Sequence, residues 1–365
     1  MTESNESGLT GNVAAVDPAE LAAWLLPRLD GATAIEVEAF EPPRSGYSAE
    51  TSVFTAHVDR ETGPGPEKFV LRRESPEPPV YPQQSDRSCE VEIQYRVMEC
   101  VAASSDVPIA PLYGFEADPS VLDAEFFVMG FVDGDVPVED PIYTSAGFFV
   151  DATDEQRARL VTAGVETMAA IHAIDWRAAG LDWLTPDGVT AGTRRQFDLW
   201  HDYYRREIGD RVHPRVEEAI TWLDTNMPDD AELALSWGDP RPGNIIWSDF
   251  SPACVTDFEA ASISPPVYDL GWWLMFDHWS HETMGQPRLP GEPTRDEQAT
   301  HYAAVSGRSI DNVRYYELFA AMRYCAIVVR VINRMVERGH MPADHTIWLE
   351  NPASTCLDLL MTDYL

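Results

Sequence analysis

The sequence predicts an α+β fold in two parts: a small strand-rich first part, residues 17–133, and a larger, mainly helical second part, residues 134–365. Three observations carry that expectation. A chain of 365 residues is long for one hydrophobic core and suits two lobes. Apolar or alternating runs rich in β-branched and aromatic residues mark the front, at 35–40, 52–58, 68–72 and 125–132. Beyond the turn Asp133-Gly134-Asp135 the apolar residues recur at helical spacing.

Residues 1–16 are polar to acidic and read as disordered, with nothing like a secretory leader. Asp17 is positioned to cap a helix over 19–29, with Pro18 in its first turn. A turn of small residues, with Gly46 and Ser48 at its centre, joins strand 35–40 to strand 52–58. Such a turn can offer backbone N–H groups to a phosphate, or it can be an ordinary hairpin. In strand 68–72, alternation puts Lys68, Val70 and Arg72 on one face and Phe69 and Leu71 on the other. A Pro-rich loop over 74–82 leads to a helix over 87–103, and Pro108 and Pro111 bound the next turn. The run 125–132, EFFVMGFV, is apolar on both faces and reads as a buried strand containing Met129 and Phe131.

Helices follow over 153–173, 194–207 and 214–226. Others follow over 270–279, 295–306 and 311–338. Thr153 and Gln156 have the spacing of a capping box, and Gly339 closes the last of these helices. His172 lies on a helix and reads as a satisfied core histidine rather than a base. The His- and Pro-rich stretch 277–295 reads as a mobile loop on the substrate side, since His278 and His281 alone do not make a zinc site. The tail gives no signal, and no internal repeat is present.

Acidic residues outnumber basic ones 61 to 26, leaving a net charge of −35, and Lys68 is the single lysine. Nucleic acid and anionic membranes require basic patches, so neither is expected as a partner. The acidity fits either adaptation to high salt or an ordinary acidic protein. Five scattered cysteines without a CxxC suggest reduced thiols and a cytoplasmic location. No apolar run approaches the ~20 residues of a membrane span. The sequence sets no oligomeric state.

The most informative stretch is 233–273. Asp239 follows one short apolar run and Asp257 another, and Asn244 stands five residues after Asp239. A loop aspartate, an asparagine five residues on and a hairpin-end aspartate form a magnesium-nucleotide constellation. The first aspartate accepts the proton of the attacking hydroxyl, and the other two residues hold the metal. Phosphoryl transfer asks little covalent chemistry of the protein and much positioning and charge neutralisation. Mg²⁺ prefers hard oxygen ligands, which an amide carbonyl, a carboxylate and phosphates supply. Pro240 and Pro242 stiffen the loop, and Gly243 permits its bend.

The spelling WGDPRPGNIIW, then VTDFEAASISPPVYDLGWW, resembles the catalytic core of the aminoglycoside phosphotransferase-like kinases. Within them it is most similar to the bacterial and acyl-CoA-dehydrogenase-associated members. The match rests on Gly238, Asp239, Gly243, Asn244, Asp257, Phe258, Glu259, Tyr268, Asp269 and Leu270; Trp237 stands where a histidine is usual. The resemblance implies a protein-kinase-like fold, with an antiparallel sheet lobe and a helical catalytic lobe. It also implies ATP or another nucleoside triphosphate, Mg²⁺ and a small-molecule hydroxyl acceptor. Asp239 would be the base, and Asn244 and Asp257 the metal ligands, with Glu259 close by. Gly46 and Ser48 would cover phosphates. Arg72, or else Lys68, would pair with them, and Glu92 or Glu90 would pair with that cation, although the usual glutamate falls near Gln94. Met129 and Phe131 would meet the base of the nucleotide, or else serve as plain core. Asp269 would brace the catalytic loop by accepting backbone N–H groups. The different-class alternative is a nucleotide-binding pseudokinase or regulatory module, which Trp237, Arg72 and the displaced glutamate would favour. A protein kinase is disfavoured, because no APE motif follows Asp257. The acceptor stays open between a cationic aminoglycoside and an apolar acyl or macrolide-like compound.

Overall fold

The computed structural model describes residues 16–40, 49–85, 89–138, 140–230 and 232–365. Gly46, Ser48 and nearly all of the 1–16 segment lie outside the described residues. The chain divides into two compact units. The first comprises residues 1–83, 87–99 and 110–132, and the second 84–86, 100–109 and 133–365.

In the first unit, helix α1 (Pro18–Leu25) is capped by the Asp17 carboxylate, which accepts the Ala19 N–H at 2.8 Å. Strands β1 (Ala32–Phe40), β2 (Glu50–Arg60) and β3 (Gly65–Arg73) precede helix α2 (Glu90–Ser104), and β4 (Leu112–Glu116) and β5 (Phe126–Gly130) follow it. All neighbouring strands pair antiparallel, in the order β1-β2-β3-β5-β4. Alternation fixes the register: Phe54, Phe69 and Leu71 turn inward onto Leu21, Trp24 and Phe126. The Phe54 and Phe69 rings stack at 5.3 Å. Burying side chains of this size contributes about 1.5–3 kcal/mol each. Arg73 is buried at the end of β3, paired with Glu50 at 2.6 Å and donating to the Leu122 carbonyl. Strand β4 was not expected; the prolines before it hid it, and its Gly114 interrupts the ladder with a bulge.

The second unit contains α3 (Phe148–Asp151), α4 (Asp154–His172), α5 (Thr193–Ile208) and α6 (Pro214–Thr225). Four short strands follow, β6 (Ala234–Ser236), β7 (Ile245–Ser248), β8 (Ser251–Val255) and β9 (Ser262–Ser264). Helices α7 (Pro266–His278), α8 (Arg295–Ser306), α9 (Val313–Glu337) and α10 (Pro352–Tyr364) complete it. β6 pairs with β9 and β7 with β8, both antiparallel. The Thr153–Gln156 capping box forms as expected.

Helix α7 is the spine of this unit, buried at every residue. Its glycine is a packing requirement: a Cβ on Gly271 would stand 2.5 Å from the backbone of Tyr316 in α9. On the α4 side, Gly164 leaves room for the Trp273 ring, which a Cβ would meet at 2.3 Å. The stretch expected as a mobile loop begins differently. α7 runs to His278 and continues as a π-helical turn, Trp279–Thr283, in which His278 and His281 are buried. Arg288 pairs with Asp277 and ties the following segment back to α7. The tail, silent in the sequence, is helix α10, capped by Asn351, whose side chain accepts the N–H groups of Ala353 and Ser354. Among the described residues no helix is long and apolar enough to cross a membrane.

Candidate active site

The site is built on the loop between β6 and β7. Asp269, in the first turn of α7, is fully buried and braces it. Its Oδ2 accepts the Trp237 N–H at 2.6 Å, and its Oδ1 accepts the Gly238 N–H at 3.1 Å and the Ser236 hydroxyl at 2.5 Å. Nε2 of His172 lies 3.0 Å from Oδ2, and its Nδ1 lies 2.7 Å from the Tyr302 hydroxyl. His172 is therefore a structural histidine, as its place on α4 suggested, and Asp269 has the bracing role expected of it. Gly238 adopts a φ of +93°, and a Cβ there would stand 2.1 Å from the Ala260 carbonyl oxygen. Only glycine fits.

Asp239 follows directly and is 2% exposed. Its Oδ1 accepts the Trp272 indole N–H at 2.6 Å. Its Oδ2 accepts from Asn244 Nδ2 at 2.9 Å and from Arg241 Nε at 3.2 Å. Asn244 Nδ2 also donates to the Asp239 main-chain oxygen at 2.9 Å. The loop and the start of β7 thus hold Asp239 and Asn244 in contact. The Arg241 guanidinium lies 5.6 Å from the centre of the Phe276 ring. Burial pushes the Tyr324 hydroxyl pKa well up; Arg241 opposes that shift and Asp239 adds to it, so α9 also reaches this site.

Asp257 joins through the hairpin. The Asn244 carbonyl accepts from both the N–H and the hydroxyl of Thr256, at 3.0 and 3.1 Å. The Thr256 carbonyl accepts the Trp237 indole N–H at 2.8 Å. Asp257 is next, in the left-handed region at φ +66°. Such a residue stores about 1–3 kcal/mol and persists where its surroundings over-determine it. The tryptophan in place of the usual histidine therefore still supplies a ring N–H, and with it a bridge from the Asp239 loop to the Asp257 peptide.

The donor set fits a hard divalent cation. Asn244 turns its amide nitrogen to Asp239, which leaves its amide oxygen on the other branch, and Asp257, the candidate carboxylate, stands one residue beyond Thr256, whose N–H bonds the Asn244 main-chain carbonyl. Among the described residues no group of three or more His, Cys, Asp or Glu could hold a metal. A site of one carboxylate and one amide is the kind that phosphate oxygens complete. Glu259 is buried two residues on from Asp257.

The first unit carries the other candidates. Arg72 lies half-buried on β3, opposite Thr51 and Phe127. Glu92 pairs with Arg96 one helical turn on, at 2.5 Å, and Glu90 accepts the Ala49 N–H at 2.8 Å. Met129 pairs with Val70 on one side and Leu112 on the other. The Phe131 N–H bonds the Lys68 carbonyl, and the Lys68 ammonium lies 5.2 Å from its ring. Sequence reasoning missed Trp272 and Arg241 as neighbours of Asp239. Arg241 sits inside the quoted loop motif, and Trp272 falls within the YDLGWW spelling, three residues after Asp269.

The chain is similar in sequence and in fold to known proteins. The chain is 23% identical over 317 residues to a probable acyl-CoA dehydrogenase, IBR3, of Arabidopsis thaliana, covering 81% of this chain and 36% of that protein. It is 31% identical over 231 residues to acyl-CoA dehydrogenase family member 11 of Gallus gallus, covering 61% of this chain and 27% of that one. The chain thus spans about a third of the length of these relatives. Among solved structures, a putative aminoglycoside phosphotransferase of Ralstonia eutropha superposes with a TM-score of 0.71 at 22% identity, covering 95% and 99% of the two chains. A thermostable mutant of aminoglycoside phosphotransferase APH(4)-Ia, in complex with ADP and hygromycin B, superposes with a TM-score of 0.55 at 13% identity, covering 90% and 95%. These likenesses show the kinase-like fold. The model of the phosphotransferase enzyme family, APH, matches residues 39–305, and the chain belongs to that family.

Proposed function

We propose that this chain is a phosphotransferase that moves the γ-phosphate of ATP, or of another nucleoside triphosphate, to a hydroxyl of a small molecule. The observation that carries this reading is the buried Asp239 carboxylate, held at both oxygens by Trp272, Asn244 and Arg241. Asp239 orients the acceptor hydroxyl and takes its proton as the oxygen bonds to the γ-phosphorus. The bond to the β-phosphate bridging oxygen breaks, and the nucleoside diphosphate leaves. Asn244 and Asp257 would hold Mg²⁺, which supplies charge neutralisation at the phosphates. The nucleotide-holding roles fall to Arg72 with Glu92 or Glu90, to Met129 and Phe131, and to Gly46 and Ser48. Among the described residues no disulfide joins the cysteines, which supports a reducing, cytoplasmic setting.

The test is diphosphate release from ATP with Mg²⁺ across a panel of hydroxyl compounds, including aminoglycosides, macrolides and hydroxyacyl compounds. Release that depends on one acceptor supports the reading and names the substrate. Nucleotide binding without acceptor-dependent release from any of them would mark a binding module and contradict it.

A further inference from the structure

We infer that Trp272 and Arg323 are positioning residues for Asp239, acting through the edge and the face of one indole ring. The inference rests on the phosphotransfer reading and assigns two residues to it that no sequence motif singled out for this role.

The two oxygens of Asp239 are held from different directions. Oδ2 takes donors from its own loop, Arg241 and Asn244. Oδ1 takes its donor from α7, the Trp272 indole N–H, at 2.6 Å, a short contact for an N–H···O bond. An indole N–H can only donate, so this contact requires Asp239 to present an acceptor oxygen at that spot. Trp272 cannot readily move. It is 1% exposed on a helix buried along its whole length, and the next residue toward the N-terminus, Gly271, is closed against Tyr316.

Arg323 lies on the other side of the ring. It is 1% exposed on α9, with its guanidinium carbon 4.2 Å from the Trp272 ring centre and 4.1 Å from that of Tyr268. Its Nη2 donates to the Gly238 carbonyl at 3.1 Å. A cation over the face of an indole draws on its π density and leaves the N–H edge more positive, which strengthens the bond to Asp239. Arg323 thus acts on Asp239 twice, through the peptide of the preceding residue and through the ring. The base is thereby confined to one orientation, and an acceptor hydroxyl meets it already aimed.

The experiment is a double-mutant cycle with nucleotide affinity measured in parallel. Trp272→Phe removes the N–H, and 3-benzothienylalanine at 272 removes it while keeping the ring system's shape. Both are expected to lower kcat about 10–100-fold while the nucleotide KM changes less than about two-fold. In an Asp239→Ala background the same replacements should cost nothing further. Arg323→Met should lower kcat, and Arg323→Lys should recover most of it. Losses that add fully to Asp239→Ala, or a nucleotide KM that rises as much as kcat falls, would overturn the inference. Indole N–H resonances of the ¹⁵N-tryptophan-labelled protein give a readout independent of turnover. The Trp272 signal should move upfield in Asp239→Ala, and a signal indifferent to that change would also overturn it. If the unaltered protein transfers phosphate to no acceptor, the phosphotransfer reading fails alone, and the resonance still decides the contact.

Discussion

Asp239 and Asp269 lie in the same unit, both buried, and the segment Ser236–Gly238 that leads into Asp239 is bonded to Asp269. Asp269 accepts two backbone N–H groups and a serine hydroxyl and meets a histidine ring nitrogen. Asp239 accepts from side-chain donors at its carboxylate: Trp272, Arg241 and Asn244. A carboxylate bound to backbone fixes the path of a chain, because the chain has no other way to satisfy those N–H groups. A carboxylate bound by side chains is aimed rather than used as an anchor. Burial alone would not separate the two; the identity of the donors does.

The largest effect should follow from breaking the brace at the backbone. Gly238→Ala puts a methyl group 2.1 Å from the Ala260 carbonyl in a left-handed residue, so a loss of at least about 4 kcal/mol is expected in denaturant unfolding. Asp269→Asn should come next. It replaces one carboxylate oxygen by an N–H₂ and keeps the other, so one of the Trp237 and Gly238 N–H groups loses its acceptor, at roughly 1–3 kcal/mol. Both changes should appear as lost stability, in contrast with changes at Asp239, which should appear as lost turnover. If Asp269→Asn cost turnover without stability, the division between brace and base would be wrong.

The comparison sharpens against carboxylates whose burial outweighs their donors. Burial pushes Glu74 and Glu292 up to about 7 from 4.5, with a backbone N–H, from Val91 and Leu289 respectively, partly opposing it. Between pH 4.5 and 7 the folded protein binds more protons at these groups than the unfolded chain does, so their contribution to stability falls as pH rises through that window. A Glu74→Gln/Glu292→Gln protein should show a flatter profile of Tm against pH, by on the order of a few degrees across the window. An unchanged slope would mean that neither group stays protonated in the folded state.

Much of this was legible in the residues. Strands β1, β2 and β3 announced themselves by alternation, and the capping residues Asp17, Thr153 and Gly339 named their helix ends because caps are local chemistry. The contact of Asp239 with Asn244 was legible because five residues separate them. Trp272 was not, because a 33-residue separation is closed by tertiary packing that no local period records. Arg323 and Arg330 interrupt the apolar residues of α9 in the sequence, and the structure buries both, Arg323 against three aromatic rings. Strand β4 and helix α10 were missed because the prolines before or at the start of each hid short patterns that packing completes.

The most direct test of the account is diphosphate release by Asp239→Ala, with Mg²⁺ and an acceptor that the unaltered protein uses, alongside its nucleotide affinity and thermal stability. A general base at this position predicts a loss of about 10²–10⁴-fold in turnover with nucleotide binding retained. Turnover equal to that of the unaltered protein would contradict it.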